Sequence, residues 1–87
     1  MKKHPQQDAP PPGDMPTAYD LAHVRLYLRL LDADAEGADW REAVDILFEI
    51  DAAAEPDRAR SVYSTHLERA RWLARSGHLK LLTTRIG

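Results

Sequence analysis

The side chains most often used for catalysis are scattered in this chain. His4, His23, His66 and His78 show no metal-ligand spacing, there is no cysteine to act as a nucleophile, and no Ser/His/Asp constellation can be assembled from neighbouring residues. The many carboxylates fall on helix faces expected to be solvated, where nothing desolvates one enough to tune it as a general acid or base. No enzymatic activity, metal or cofactor is expected. The chemistry that is patterned is charge. Residues 32–57 hold ten acids, Asp32, Asp34, Glu36, Asp39, Glu42, Asp45, Glu49, Asp51, Glu55 and Asp57, against Arg41 alone. Residues 58–87 hold seven bases, Arg58, Arg60, Arg69, Arg71, Arg75, Lys80 and Arg85, against Glu68 alone. The net charge is only −2, so a duplex is attracted to one half of the chain and repelled by the other, because phosphate contacts dominate nucleic-acid affinity.

Helices must position these charges. Residues 1–16 contain five of the six prolines and, after Met1, only Met15 as a sizeable apolar residue; they are expected to be a disordered, solvated tail ahead of a helical domain over 17–87. Thr17, with Asp20 three residues later, should cap a first helix over about 18–35. Its predicted core stripe is Leu21, Val24, Leu28 and Leu31 with Tyr27 alongside, which leaves Leu26 and Leu30 on the opposite side, either as candidate partner contacts or covered by the C-terminal segment with Leu79, Leu81 and Leu82. Gly37 supplies a left-handed stop. Asp39 should open a second helix running to about Phe48, with Glu42 reaching back in a capping box. Trp40, Ala43, Val44, Leu47 and Ile50 share one side of it, and Glu42, Asp45 and Glu49 project from the other. Pro56 suits the first turn of a third helix, about 56–75, whose inward set is Ala59, Val62, Tyr63, His66, Leu67, Ala70, Leu73 and Ala74. Gly77 ends it. Leu79, Leu81, Leu82 and Ile86 follow as a short segment that periodicity leaves open between a helical turn and an extended arm.

The class is all-α: a small helical bundle, a helix-turn-helix variant with three main helices and a short C-terminal segment. No apolar run approaches the roughly 20 residues needed to cross a bilayer, and Met1-Lys2-Lys3 is followed by polar residues and prolines instead of a signal-peptide core. A cytoplasmic monomer is expected. In a reading helix the early exposed positions must offer donors to base edges and cations to phosphates. Here they are Ser61, Ser64, Thr65 and Glu68, short hydroxyls and an acid, so weak or no DNA binding is expected and the four join the candidate partner contacts. Arg60, Arg69, Arg71 and Arg75 of the third helix are expected to meet acids of the second; the alternative is a DNA-binding module that uses Arg58, Arg60, Arg69, Arg71 and Arg75 along that helix. The acidic face of Glu42, Asp45 and Glu49 either keeps the domain soluble or imitates phosphate toward a basic partner surface. Trp72 lies off the inward arc, as a contact anchor or as a support for the C-terminal segment.

The run Ala38-Asp39-Trp40-Arg41-Glu42, then Ile46-Leu47-Phe48, Asp57-Arg58-Ala59-Arg60, His66-Leu67-Glu68-Arg69-Ala70-Arg71 and Gly77-His78-Leu79-Lys80-Leu81-Leu82 resembles the RovC-like DNA-binding domain family of proteobacteria, over about residues 18–82. The resemblance implies a helix-turn-helix domain of transcription factors that reads DNA with its third helix. For a short, stand-alone member with an acidic supporting helix it implies an antiactivator, which binds activators instead of operators. The implied partners are a LuxR-type, acyl-homoserine-lactone-dependent quorum-sensing regulator of the TraR kind and an FseA-like excision activator. The implied outcome is repression of the excision and transfer of an integrative and conjugative element.

Overall fold

The computed structural model describes residues 7–86, with side chains described for residues 7–83, as five helices: α1 (Ala18–Ala22), α2 (Val24–Ala35), α3 (Trp40–Phe48), α4 (Pro56–Ser76) and α5 (His78–Ile86). The architecture is all-helical. Thr17 opens α1 with a reciprocal cap in which the Asp20 N–H donates to the Thr17 hydroxyl at 3.2 Å and the Thr17 N–H donates to Asp20 at 2.9 Å. The first predicted helix is divided at His23. Its ring Nδ1 donates to the Tyr19 carbonyl at 2.8 Å, the same oxygen that receives the His23 N–H, and this side-chain competition for a ladder acceptor bends the chain into α2.

Gly37, at φ +74, closes the end of α2. Asp39 caps α3 by accepting from the Arg41 N–H at 2.9 Å, whereas Glu42 makes no return bond among the described residues and stays on the outer face. Pro56 stands in the first turn of α4, and Gly77, at φ +85, ends it in the left-handed conformation. The segment that periodicity left open is a helix, α5.

α4 is the hub, packed against α2, α3 and α5. The buried cluster joins Val24, Leu26, Tyr27 and Leu30 of α2 to Val44 and Phe48 of α3, Ala59, Val62, Leu67, Ala70 and Leu73 of α4, and Leu79 and Leu82 of α5. Leu26 and Leu30 are therefore core, with Leu30 fully buried, and the expectation that they form an exposed partner surface is corrected. Leu21 and Leu28, placed in the predicted stripe, sit at the exposed edge. The physical reason is polar. Asp20 and His23 are buried and lie at the centre of the inward arc, so a stripe drawn through apolar residues alone rotates the helix away from its true face.

Asp20 has no exposed surface, and its carboxylate accepts from Arg69 Nη2 at 2.7 Å, from Arg69 Nε at 3.2 Å, from the Tyr27 hydroxyl at 2.8 Å and from the Thr17 N–H. Burial pushes the Asp20 carboxyl up, but the Arg69, Thr17 and Tyr27 hydrogen bonds together outweigh it and hold the group below its ordinary value. Arg69, expected among the arginines that meet acids of the second helix, is buried on Asp20 instead. Its remaining donors reach the carbonyls of Gly13, at 2.6 Å, and Met15, at 2.9 Å. Residues 7–16, expected as a solvated tail, thus run along α4 without helix or strand.

A second buried chain adjoins the first. His66 Nδ1 donates to the Val62 carbonyl at 2.8 Å, which leaves Nε2 of the neutral ring as an acceptor for the Tyr19 hydroxyl at 2.6 Å. The same hydroxyl accepts from the Gln7 N–H at 3.0 Å. Burial lowers the His66 pKa, keeping the ring neutral so that this relay persists at neutral pH.

Asp20→Asn leaves the Arg69 guanidinium buried without a counter-charge and should cost about 3–5 kcal/mol in urea unfolding, with most of the loss recovered in Asp20→Leu/Arg69→Met. Because the folded-state carboxyl is depressed, its contribution is present above the ordinary aspartate range and is lost as pH falls through the lower folded value. An Asp20→Asn chain as stable as the parent would contradict this assignment.

Candidate functional site

Two surfaces carry the patterned charge, the solvent side of α4 and the outer face of α3. On α4, Ser61 and Glu68 are exposed, while Ser64 and Thr65 are half-buried. Thr65 turns its hydroxyl back onto its own helix, donating to the Ser61 carbonyl at 2.8 Å, so it offers little to an incoming ligand in this arrangement. Ser64 lines a cleft of about 440 Å³ between the start of α3 and α4, together with Trp40, Arg41, Arg60, Tyr63 and Arg71. Within it the Trp40 ring lies between two guanidinium groups, Arg41 at 4.9 Å and Arg60 at 5.1 Å from the ring centroid.

The cations of α4 have partners other than those expected. Arg58 meets Asp8 at 3.0 Å and Glu55 at 3.4 Å, Arg69 is buried on Asp20, and Arg71 meets Asp34 at the end of α2 at 2.7 Å. The acids Glu42, Asp45 and Glu49 form no ion pair among the described residues, which corrects the expectation that they receive the α4 arginines. Geometry explains this. α3 turns Ala43, Val44 and Phe48 toward the core, and the acids stand on the far side of that helix.

That far side is the second surface. Glu42, Asp45 and Glu49 are exposed around Ile46, whose side chain is 73% exposed, more than any other large apolar residue described. A shallow hollow lined by Arg41, Glu42, Asp45, Asp51, Ala52 and Ala53 adjoins them. Glu49 ends α3 at φ 58, a left-handed conformation in which a non-glycine residue is strained by about 1 kcal/mol. An isolated apolar side chain ringed by acids is suited to a partner that presents cations around a small hydrophobic pocket. Ile46 was missed from the sequence because it was read only as part of a run with Leu47 and Phe48. Counting outward spacing from Glu42 and Asp45 would have found it.

Of the two alternatives drawn from the sequence for Trp72, the structure shows the packing role. Its half-buried ring packs on the core margin, takes Arg69 at 4.5 Å from its centroid and meets the His78 ring at 5.3 Å, so it supports the junction with α5. Its outer side joins Pro10, Pro11 and Pro12 in lining a groove. Of the ten residues singled out for partner contact, the structure puts Glu42, Asp45 and Glu49 together on α3, and Ser61, Ser64, Thr65, Glu68 and Trp72 along α4. Leu26 and Leu30 are withdrawn into the core.

A family model of the RovC DNA-binding domain, described as "T6SS, Transcription factor, DNA binding domain", matches residues 2–83. Neither the curated proteins nor the solved structures gave a match.

Ile46→Lys should change unfolding stability by no more than about 0.5 kcal/mol, whereas Leu30→Lys, which places an unpaired charge in the core, should cost about 3–5 kcal/mol. Equal losses in thermal or urea unfolding would show that the two side chains are not divided between surface and core as described.

Proposed function

Because the chain belongs to the RovC DNA-binding domain family of transcription factors, we propose that it regulates transcription by contacting activator proteins, as an antiactivator, through the acidic face of α3. The single observation that carries this reading is the distribution of ion pairs. Arg58, Arg69 and Arg71 of the helix that would face DNA are engaged with Asp8, Asp20 and Asp34, while Glu42, Asp45 and Glu49 surround the exposed Ile46 with no pair among the described residues. Phosphate attraction is the largest sequence-independent contribution to DNA affinity, and neutralised arginines beside a free acidic face reduce it.

The mechanism is stoichiometric masking in the cytoplasm. Acids speed the encounter with a basic activator surface, and Ile46 supplies the apolar contact that holds it. The partners that fit best are those implied by the resemblance to the antiactivator QseM: a TraR-like LuxR-type regulator and an FseA-like activator of conjugative-element excision. In that setting the outcome is repression of excision and transfer.

One observation favours a second reading, residual DNA contact. Arg60 and Arg75 lie on the exposed side of α4 and form no ion pair among the described residues. They leave two cations for a phosphate backbone.

The triple change Glu42→Lys, Asp45→Lys and Glu49→Lys should weaken capture of the two activator types by at least about tenfold at low salt, with the helical spectrum retained, because it inverts the steering field. Wild-type capture should weaken as salt rises. Undiminished capture by the triple variant, or tight sequence-dependent binding of duplex DNA by the wild type near physiological ionic strength, would reject antiactivation through α3.

A further inference from the structure

The N-terminal residues lying on α4 are held in two different ways. After the bend at Gly13 the chain is tied to the buried Arg69, which donates to the carbonyls of Gly13 and Met15. Before it, residues 8–12 rest on surface contacts, and beyond them the Gln7 N–H donates to the Tyr19 hydroxyl at 3.0 Å, a single hydrogen bond that must open when they lift. Arg58 places Nε at 3.2 Å from both Asp8 carboxylate oxygens and Nη2 at 3.0 Å from one of them, and Thr65 Oγ1 lies 3.4 Å from the Asp8 carbonyl. Pro10, Pro11 and Pro12 complete a groove with Thr65, Glu68 and Trp72. The Arg58 and Asp8 side chains are 47% and 66% exposed, so water and salt screen their attraction and the hold is weak.

Gly13 has φ +137, a conformation that side-chain-bearing residues rarely adopt, and its Cα faces open space. It joins a fixed anchor to a proline-stiffened rod with no internal hydrogen bonds, able to lift as a unit. The rod covers Arg58, in the first turn of α4, and Thr65, two turns later. In helix-turn-helix domains this N-terminal half of the reading helix approaches DNA. A guanidinium fork on two carboxylate oxygens has the geometry with which arginine takes a phosphate.

We propose that residues 8–12 are an occluding strap: Asp8 occupies on Arg58 the place of a DNA phosphate, and the prolines cover the adjoining flank of α4. Lifting the strap about Gly13 opens that flank to a duplex backbone. The inference rests on the preceding reading only in taking weak DNA affinity as the state of the intact chain.

The test uses the full chain, a labelled duplex of mixed sequence titrated over a range of low salt concentrations, and the Trp72 indole and Thr65 amide NMR signals as reporters of the strap. Asp8→Asn should move both signals, tighten duplex binding by about tenfold and steepen the slope of log affinity against log salt by about 0.9, the value for one phosphate gained. Pro10→Ser/Pro11→Ser/Pro12→Ser should do the same by loosening the rod. Asp14→Asn makes the same change in net charge away from Arg58 and should do neither. Adding Arg58→Gln to Asp8→Asn should abolish the gain. The strap is overturned if the signals move without tighter binding, if they move in neither variant, if Asp14→Asn matches Asp8→Asn, or if the gain survives Arg58→Gln. These are differences between variants with an unchanged α3 face, so their failure is separate from failure of the α3 charge-reversal experiment.

Discussion

The buried pair of Asp20 and Arg69 constrains the rest of the molecule. It links the first turn of α1 to the middle of α4 across forty-nine residues of sequence, at 2.7 Å, with Tyr27 and Thr17 completing the carboxylate's partners. Desolvating two charges is costly, and such a pair contributes less net stability than its Coulomb attraction suggests; what it fixes here is rotation and register. With Asp20 turned inward, Val24, Tyr27 and Leu30 follow it into the core and Leu21 and Leu28 are carried outward. Through its other donors Arg69 also holds the backbone of residues 13–15, so a single guanidinium organises α1, α4 and the segment before them.

That use of Arg69 bears directly on function. In α4, the helix to which the resemblance assigns DNA reading, one cation is withdrawn into the core and two more are occupied by Asp8 and Asp34, while the serines and threonine carry no charge. The neighbouring α3 keeps its acids free because its apolar residues claim the side facing α4. The same sequence asymmetry that suggests a simple exchange between acidic and basic helices is therefore resolved differently. Arg58, Arg69 and Arg71 are satisfied by acids outside α3, and α3 is left as a negative surface with an apolar centre at Ile46.

Much of the fold was legible because its signals are local. Thr17 with Asp20, Asp39, Pro56 and Gly77 set helix ends through backbone hydrogen bonding and permitted dihedrals, and these ends fall where they were expected. The rotation of the first helix was not legible, since apolar periodicity takes no account of Asp20 and His23, whose burial depends on partners far away in sequence. The same cause hid Arg69. Composition alone described residues 7–16 as a tail because prolines and polar side chains build no core, yet their backbone carbonyls and Asp8 find arginines of α4. The acidic face of α3 was legible from spacing, while Ile46 at its centre was concealed by its apolar neighbours.

We propose that α3, and not α4, is the surface this domain offers to its regulatory partner. Backbone amide chemical shifts recorded on the isotopically labelled chain, during titration with the purified basic region of a captured activator, test it most directly. The account predicts that the largest changes centre on Glu42, Asp45, Ile46 and Glu49, with α4 changing little. Changes concentrated at Arg60, Ser61, Ser64 and Arg75, with α3 silent, would contradict it.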